Sequence, residues 1–436
     1  MNLQRMFESY LAGCVKMSFA REKPTVIGIA GSVGKTSTRA AVGIALAANE
    51  PGSGVAMSDK NFNNDLGVPL VIFDCAMPRK SPFKWLALLA KAGLTALGLF
   101  NLRAKTFVLE LGTDRPGDLY RLMKMVKPQI GVFTAVGPEH TEFFGDVEGV
   151  AKEEAAIVAM LPKDGTMVFN IDDLKVHEIC DGLDFKRVTF GLHELADVKV
   201  KNLQVSLVPS SPESSGLDIV FGVQGLEKRL RLTGTIGRPQ AYATAAALAV
   251  VMAMNEDVDA ALERLARNYH GMPGRVRLVP GIKKTWLIDD TYNSSPLAAL
   301  SALEDLEHFP VPDGGRRFAA LGDMLELGSL AEEAHEEMGR TAAESGVDLL
   351  VACGTLAHVT AKGAKAAGMP EESVVTFAKS SEAGLFIQGR LHENDVVLIK
   401  GSQGSRMERI TKELMARPDL AEKMLVRHTP DWLARS

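Results

Sequence analysis

Residues 26–38 read Val-Ile-Gly-Ile-Ala-Gly-Ser-Val-Gly-Lys-Thr-Ser-Thr, and they constrain the fold more than any other stretch. Val26, Ile27 and Ile29 read as a buried strand, a glycine turn follows, and residues 35–48 suit a helix. A strand entering a helix through glycines gathers backbone N–H groups at the positive end of the helix dipole. Gly31 and Gly34 allow those amides close to an anion, Lys35 adds a point charge for outer phosphates, and Thr36 offers a hydroxyl to Mg²⁺. The expected nucleotide-phosphate site is therefore Gly31, Ser32, Val33, Gly34, Lys35, Thr36 and Ser37. The match is not strict, because the position six before the lysine, usually glycine, is Ile29.

From Thr25 to about Met160 strand and helix patterns alternate, which implies a mostly parallel sheet covered on both faces. Strands are expected at 25–30, 68–74, 106–111 and 130–134, and helices at 35–48, 117–125 and 147–160. Further strands are expected at 166–170 and 187–190. Short β-like runs between 198 and 235 suggest a small antiparallel module, and helices follow from Gln240 to Tyr269. A boundary falls near Met272-Pro-Gly-Arg275. A second βα series then begins, with strands near 284–289, 317–321, 348–352 and 395–399 and helices at 296–307 and 330–345. The predicted architecture is α/β, a central P-loop ATPase domain (25–274) followed by a Rossmann-like α/β domain (275–436). Residues 1–24 read as one short amphipathic helix and a linker.

At 436 residues the chain is long enough for about two to three domains, each with its own core. A net charge of −5 gives no global reason to expect nucleic acid as a partner. Cys14, Cys75, Cys180 and Cys353 lack metal or redox spacing, and the N-terminus lacks signal-peptide features, so a cytoplasmic protein is expected, as a monomer. Residues 82–100 are unusually apolar but interrupted by Lys84 and Lys91. They read as a helical insertion, spanning about 76–104, that packs on the body or on a partner subunit. The other reading is a patch touching a membrane surface or a lipid-linked substrate.

An ordered set of motifs resembles the Mur ligase family, the ATP-dependent amide ligases of peptidoglycan synthesis, over nearly the whole chain from Gly28 to Arg406. It comprises Asn61-Phe-Asn63-Asn64-Asp-Leu-Gly67, Leu109-Glu110-Leu-Gly112, Thr134-Ala-Val-Gly137-Pro-Glu-His140, Asn170-Ile-Asp172-Asp173, Gly237-Arg238 and Pro273-Gly274-Arg275. The paired asparagines, Asp289-Asp-Thr-Tyr-Asn293 and Leu321-Gly-Asp323-Met-Leu-Glu326-Leu-Gly328 point to the branch that adds D-alanyl-D-alanine to a UDP-MurNAc-tripeptide.

The resemblance implies that ATP phosphorylates a substrate carboxylate and that an amine attacks the acyl phosphate. It also implies ATP and Mg²⁺ as cofactors and a muropeptide precursor and D-Ala-D-Ala as substrates. Lys35 would hold the β- and γ-phosphates, Thr36 and Glu110 one Mg²⁺, and His140 a second metal. Arg275 would reach phosphate, and Asp290, Tyr292 and Asn293 would form the nucleotide-side cluster. Asn63 and Asn64 are expected on the substrate side. Asp323, Glu326, Lys400, Ser402 and Arg406 are expected to line the dipeptide side, where a zwitterion needs a cation for its carboxylate and acids near its ammonium.

Three departures follow. Many members carry a carbamylated lysine that organises the second metal; the position corresponds to Glu154, whose carboxylate would replace the carbamate. The adenine-side asparagine corresponds to Gln240, which keeps the amide on a longer stem. Only about 25 residues precede Val26, too few for the UDP-binding domain of this branch, so the nucleotide-sugar is held elsewhere or the substrate lacks UDP. The alternatives are a related ligase for another carboxylate (an archaeal cell-wall peptide, a poly-amino-acid or a tetrapyrrole cofactor) or a non-catalytic nucleotide-binding subunit.

Overall fold

A computed structural model describes residues 3–58, 62–79, 81–429 and 432. Six strands lie parallel at the centre of the first sheet: β1 (Thr25–Ala30), β2 (Val55–Met57), β3 (Thr106–Glu110), β4 (Ile130–Phe133), β5 (Thr166–Asn170) and β6 (Lys186–Gly191). β7 (Val198–Ser206) joins parallel to β6, and β8 (Gly216–Val223) and β9 (Leu226–Thr233) follow it antiparallel, in the order β2-β3-β1-β4-β5-β6-β7-β8-β9. The antiparallel run expected between 198 and 235 is present and is continuous with the parallel strands. β7 pairs with β6 through Phe190 and Gly191, and the nine strands share one sheet.

Helices cover both faces. One face packs on α2 (Lys35–Ala45) and on the helices Arg238–Ala253 and Val258–Asn268. Helix 238–253 is alanine-rich and almost wholly buried; its small side chains let it sit close to both the sheet and α2. The other face packs on α1 (Leu3–Glu22), α3 (Gly67–Ile72), α4 (Pro82–Ala96) and α5 (Asp118–Val126). The N-terminal helix is longer than the sequence suggested, 20 residues, and buries Leu11, Cys14 and Val15 against the body.

The strand expected at 68–74 is instead α3. Its β-branched run favours a strand, but Asn64 Oδ1 accepts from the Leu66 and Gly67 amides and starts a helical turn. Pro69 in the first turn sacrifices no helical hydrogen bond and already has the required φ. Helix 147–160 is broken into Val147–Glu154 and Ala156–Ala159.

The second sheet has the order β10-β11-β15-β12-β13-β14, built from β10 (Arg277–Pro280), β11 (Trp286–Asp290), β12 (Arg317–Gly322), β13 (Leu349–Cys353), β14 (Val374–Phe377) and β15 (Val396–Lys400). Only β10 is antiparallel to its neighbour. The hinge between the sheets is Met272–Arg275. Gly274 there adopts φ +66°, and a Cβ would meet the Tyr292 amide at 2.8 Å. Asp289 fixes it by accepting from the Gly274 amide and from the Thr291 and Thr411 hydroxyls. The carboxyl ends of β1, β3, β11 and β15 thus face one another, the usual place for a ligand in open α/β sheets.

Candidate active site

β1 ends in a loop whose geometry depends on two glycines. Gly31 has φ +121° and a Cβ there would collide with the Thr134 hydroxyl; Gly34 has φ +93° at the N-terminus of α2. No side chain caps α2, which leaves its first amides for a ligand. The loop is fastened to the segment after β4. Ser32 N donates to Ala135 O at 2.7 Å, and Gly137 N donates to Ser32 Oγ at 3.1 Å.

Lys35 Nζ arches back over the loop, donating to Gly31 O and to Ser32 O (3.1 Å), with Glu139 Oε2 at 3.5 Å. Burial alone would lower its pKa, but the carboxylates of Glu139, Glu154 and Glu110 outweigh burial and hold the amine above the usual lysine value. Beneath the loop Glu154 is buried. Its Oε2 accepts from Gly31 N (2.7 Å) and its Oε1 from Thr113 Oγ1 (2.9 Å). Burial pushes this carboxyl above its ordinary range, against the pull of Lys35 and these two donors. Glu154 therefore braces the loop from behind, and its two oxygens are occupied by Gly31 and Thr113.

Glu110 ends β3 in the cleft. Oε1 accepts from Thr36 Oγ1 (3.3 Å) and Asn63 Nδ2 (3.2 Å), while Oε2 is buried without a hydrogen bond, 3.8 Å from Arg39 Nε. An orphaned carboxylate oxygen beside a threonine hydroxyl suits a magnesium ion that takes its other oxygens from phosphate and water. Among the described residues no three His, Cys, Asp or Glu side chains gather into an all-protein metal cage. His140 does not join Glu110; its Nδ1 lies 2.6 Å from Glu326 Oε2 of the second domain. Both residues occupy the left-handed region, at φ +55° and +64°. Thr141 Oγ1 donates to Leu327 O beside them, closing the two domains at this rim.

The second domain supplies the opposite wall. Arg275 lies flat on Tyr292, 4.2 Å from the ring centroid, and its buried Nε has no hydrogen-bond partner. A guanidinium lining the cleft opposite the Lys35 loop is suited to a phosphate oxygen. Ser402 Oγ accepts from Leu325 N and donates to Ser294 O, which ties three loops of this wall together. The resulting cleft is about 310 Å³, and its lining includes Lys35, Glu110, Arg275, Asn293, Glu326 and Ser402.

A second hollow of about 620 Å³ adjoins it on the far side of the loop. Val33, Gly34, Ser37, Gln240 and Asp290 line it, with Asn170, Asp172 and Tyr242. Gln240 is spent internally: its Nε2 donates to Arg275 O and its Oε1 accepts from Tyr269 Oη. Asp172 is likewise engaged, accepting from the Leu192 and His193 amides and from Tyr242 Oη (2.7 Å). Across the domain boundary Asp305 Oδ1 accepts from Arg238 N, while Oδ2 is buried without a partner.

Burial pushes the Asp305 pKa up to about 7. The folded state then holds this proton more tightly than the unfolded one. Below about pH 4 both states are protonated and nothing is lost; stability falls as pH rises to 7, and the full cost is present above it. Three pKa units correspond to about 4 kcal/mol, and a buried amide N–H₂ recovers only part of that, so Asp305→Asn is expected to stabilise the protein by about 2 kcal/mol at pH 8. Denaturation at pH 8 and pH 4 checks this, with the advantage gone at pH 4.

Several residues chosen from the sequence point away from the cleft. Asn64 initiates α3. Asp323 accepts from the Thr355 and Leu356 amides. Arg406 pairs with Glu408, and Lys400 is buried against Asp290 Oδ2 (2.5 Å) and Asn293 O (3.1 Å). Asn61 lies outside the described residues. Sequence reasoning missed Glu139, which faces Lys35, and Thr113, which shares Glu154. Glu139 stands next to His140 in a quoted motif, so its position was in view and only its direction was hidden.

The chain matches the descriptions of the Mur ligase middle domain over residues 89–251 and of the Mur ligase glutamate ligase domain over 274–403. It is 27% identical over 398 residues to the UDP-N-acetylmuramoyl-tripeptide--D-alanyl-D-alanine ligase of Bacillus subtilis, covering 90% of this chain and 76% of the relative. The ligase of the same name from Escherichia coli is 25% identical, covering 89% and 76%. Among solved structures, the MurF ligase of Thermotoga maritima in complex with ADP superposes with a TM-score of 0.74 at 25% identity, covering 93% of this chain and 83% of that one.

Proposed function

The chain belongs to the Mur ligase family, and we propose that it is an ATP-dependent amide ligase joining D-alanyl-D-alanine to the carboxylate of a UDP-MurNAc-tripeptide. One observation carries the reading: the loop that holds Lys35 and the stacked Arg275 of the other domain line a single cleft. The relatives' names supply the substrates.

In this reading a tripeptide carboxylate oxygen attacks the γ-phosphorus, the bond to the β-phosphate oxygen breaks, and ADP leaves with the electron pair. The dipeptide amine then attacks the acyl carbon, and the tetrahedral adduct expels phosphate as the amide forms and the nitrogen loses its proton. Such transfer needs alignment and charge neutralisation more than covalent help. Lys35 and the loop amides neutralise the β- and γ-oxygens, and Arg275 meets the transferring group from across the cleft. Thr36 and Glu110 would hold a Mg²⁺ ion, which supplies Lewis-acid polarisation of the phosphates when bound. Glu326, on the second wall, is placed for the dipeptide ammonium, with Ser402 ordering the loops around it. His140 holds Glu326 in place.

Glu154 sets the loop rather than touching phosphate. Glu154→Ala leaves the Gly31 amide and Thr113 hydroxyl without an acceptor and Lys35 short of one negative charge. Turnover is expected to fall about 100-fold, with Glu154→Gln recovering part because its amide can satisfy both groups. Parent-like turnover and Mg²⁺ dependence in Glu154→Ala would remove it from the site.

The reading itself is tested by phosphate release from ATP and Mg²⁺ with the tripeptide and D-Ala-D-Ala, each omitted in turn. Release that needs both, with a pentapeptide product by mass, is expected. No release, with Lys35-dependent ATP binding intact, would transfer the chemistry to another carboxylate.

A further inference from the structure

We propose that the outer face formed by α4, α1 and α5 docks on an anionic lipid bilayer, lying on its surface without entering it as a span. The chain carries a net charge of −5, yet between Asp74 and Glu110 it has six basic residues (Arg79, Lys80, Lys84, Lys91, Arg103, Lys105) and no acidic one. The same segment forms α4, whose inward side buries Leu88, Ala92 and Thr95. Its outward side and the turn after it present Phe83, Leu86, Leu97 and Leu99 with 67–84% of their surface exposed, interrupted by Lys84 and Lys91. Bare apolar side chains with lysines between them describe a helix that rests in a headgroup layer. Among the described residues no helix is long and apolar enough to cross a membrane.

α1 packs beside α4 and gives the face its rigidity. Phe7 stacks on Trp85 with centroids 5.1 Å apart, Tyr10 Oη donates to Leu89 O, and Arg21 donates to Ala96 O and Phe100 O. α1 leaves Met6 and Met17 exposed and adds its own charge. On its other side, against α5, lies a groove of about 810 Å³ with Phe19, Pro24 and Met125 in its lining and four lysines: Lys16, Lys23, Lys124 and Lys127. None of the four enters an ion pair among the described residues, although Lys124 sits over the Tyr120 ring. A basic groove with an apolar floor, next to an apolar helix face, suits the phosphate and glycerol region of an acidic phospholipid. Pro24 and Gln129 put this groove at the N-terminal ends of β1 and β4, away from the nucleotide cleft at their carboxyl ends. A docked chain therefore keeps its cleft open to solution, and the inference stands whether or not the ligase reading does.

Flotation of the full chain tests it, using vesicles of phosphatidylcholine alone and of phosphatidylcholine with about 40% phosphatidylglycerol, at low and high salt. Binding is expected only to the anionic vesicles and is lost at high salt. Two independent double variants, Leu97→Ser with Leu99→Ser and Lys16→Glu with Lys84→Glu, should each lower the partition coefficient about tenfold or more. All four residues are exposed and outside the cleft, so the melting temperature and ATP turnover in solution should match the parent. Absence of flotation, equal flotation on neutral vesicles, parent-like binding by either variant, or self-association through this face in place of lipid binding would each overturn the proposal.

Discussion

Replacing Lys35 by methionine is expected to lower ATP-dependent phosphate release by about 1,000-fold, the largest effect of any single change on activity. The amine is the positive group held against the loop, nearly enclosed and kept charged by Glu139, Glu154 and Glu110. Its present acceptors, Gly31 O and Ser32 O, are neutral and exchange readily for the stronger charge-assisted bonds that phosphate oxygens offer. Methionine keeps the stem and removes the charge, leaving the cleft carboxylates Glu139 and Glu110 without the amine that offsets them; nucleotide affinity should fall together with turnover. Lys35→Arg separates charge from geometry. It restores the positive charge with a planar fork that the tight loop does not accommodate, so it should recover nucleotide binding better than turnover. Turnover by Lys35→Met within tenfold of the parent would exclude the loop as the phosphate site, whatever else the chain does.

The loop between β1 and α2 was legible because its conformation is set locally. Gly31, Gly34 and Lys35 act through backbone conformation and a helix terminus, both set within about ten residues of chain. Long alternating segments were legible for the same reason, and the two mostly parallel sheets follow from them. Short strands such as β2, β10 and β14, of three to four residues, carry too little periodicity to stand out. Segment 68–74 misled because its Val, Leu and Ile favour a strand, whereas Asn64 and Pro69 begin a helix. At the site, residue type is legible in a sequence and side-chain direction is not. Lys400 ends β15 and Arg406 follows it, where a ligand-facing cation is natural, but each is turned toward a carboxylate. Glu154 was noticed as a lysine replacement, but its contacts to Gly31 and Thr113 span 123 and 41 residues of sequence, beyond what any local pattern encodes. His140, expected at a metal, also lies beside Glu326 of the other domain, a neighbour 186 residues away that no local pattern reveals.

Lys400→Met carries the largest expected effect on stability. Lys400 and Asp290 are both buried, and their ion pair joins the ends of β15 and β11 under the Tyr292–Asn293 wall. Removing two charges from water costs more than a surface pair returns, so this pair is no great source of stability in itself; removing one partner is a different matter. Asp290 would keep a buried negative charge, with the Val276 amide (3.3 Å) as its remaining hydrogen bond among those described. The expected loss is about 3–5 kcal/mol, read as a lower denaturant midpoint for the second domain's transition. The double change Lys400→Met with Asp290→Asn should recover more than half of it, since an amide pays no desolvation penalty for charge. Had Lys400 been the cation for the dipeptide carboxylate, the single variant would raise the KM for D-Ala-D-Ala and leave the midpoint alone, and the second change would rescue nothing. A shifted midpoint rescued by Asp290→Asn, with KM for the dipeptide following the folded fraction, assigns the lysine to the wall beneath Tyr292 and Asn293 and not to the dipeptide.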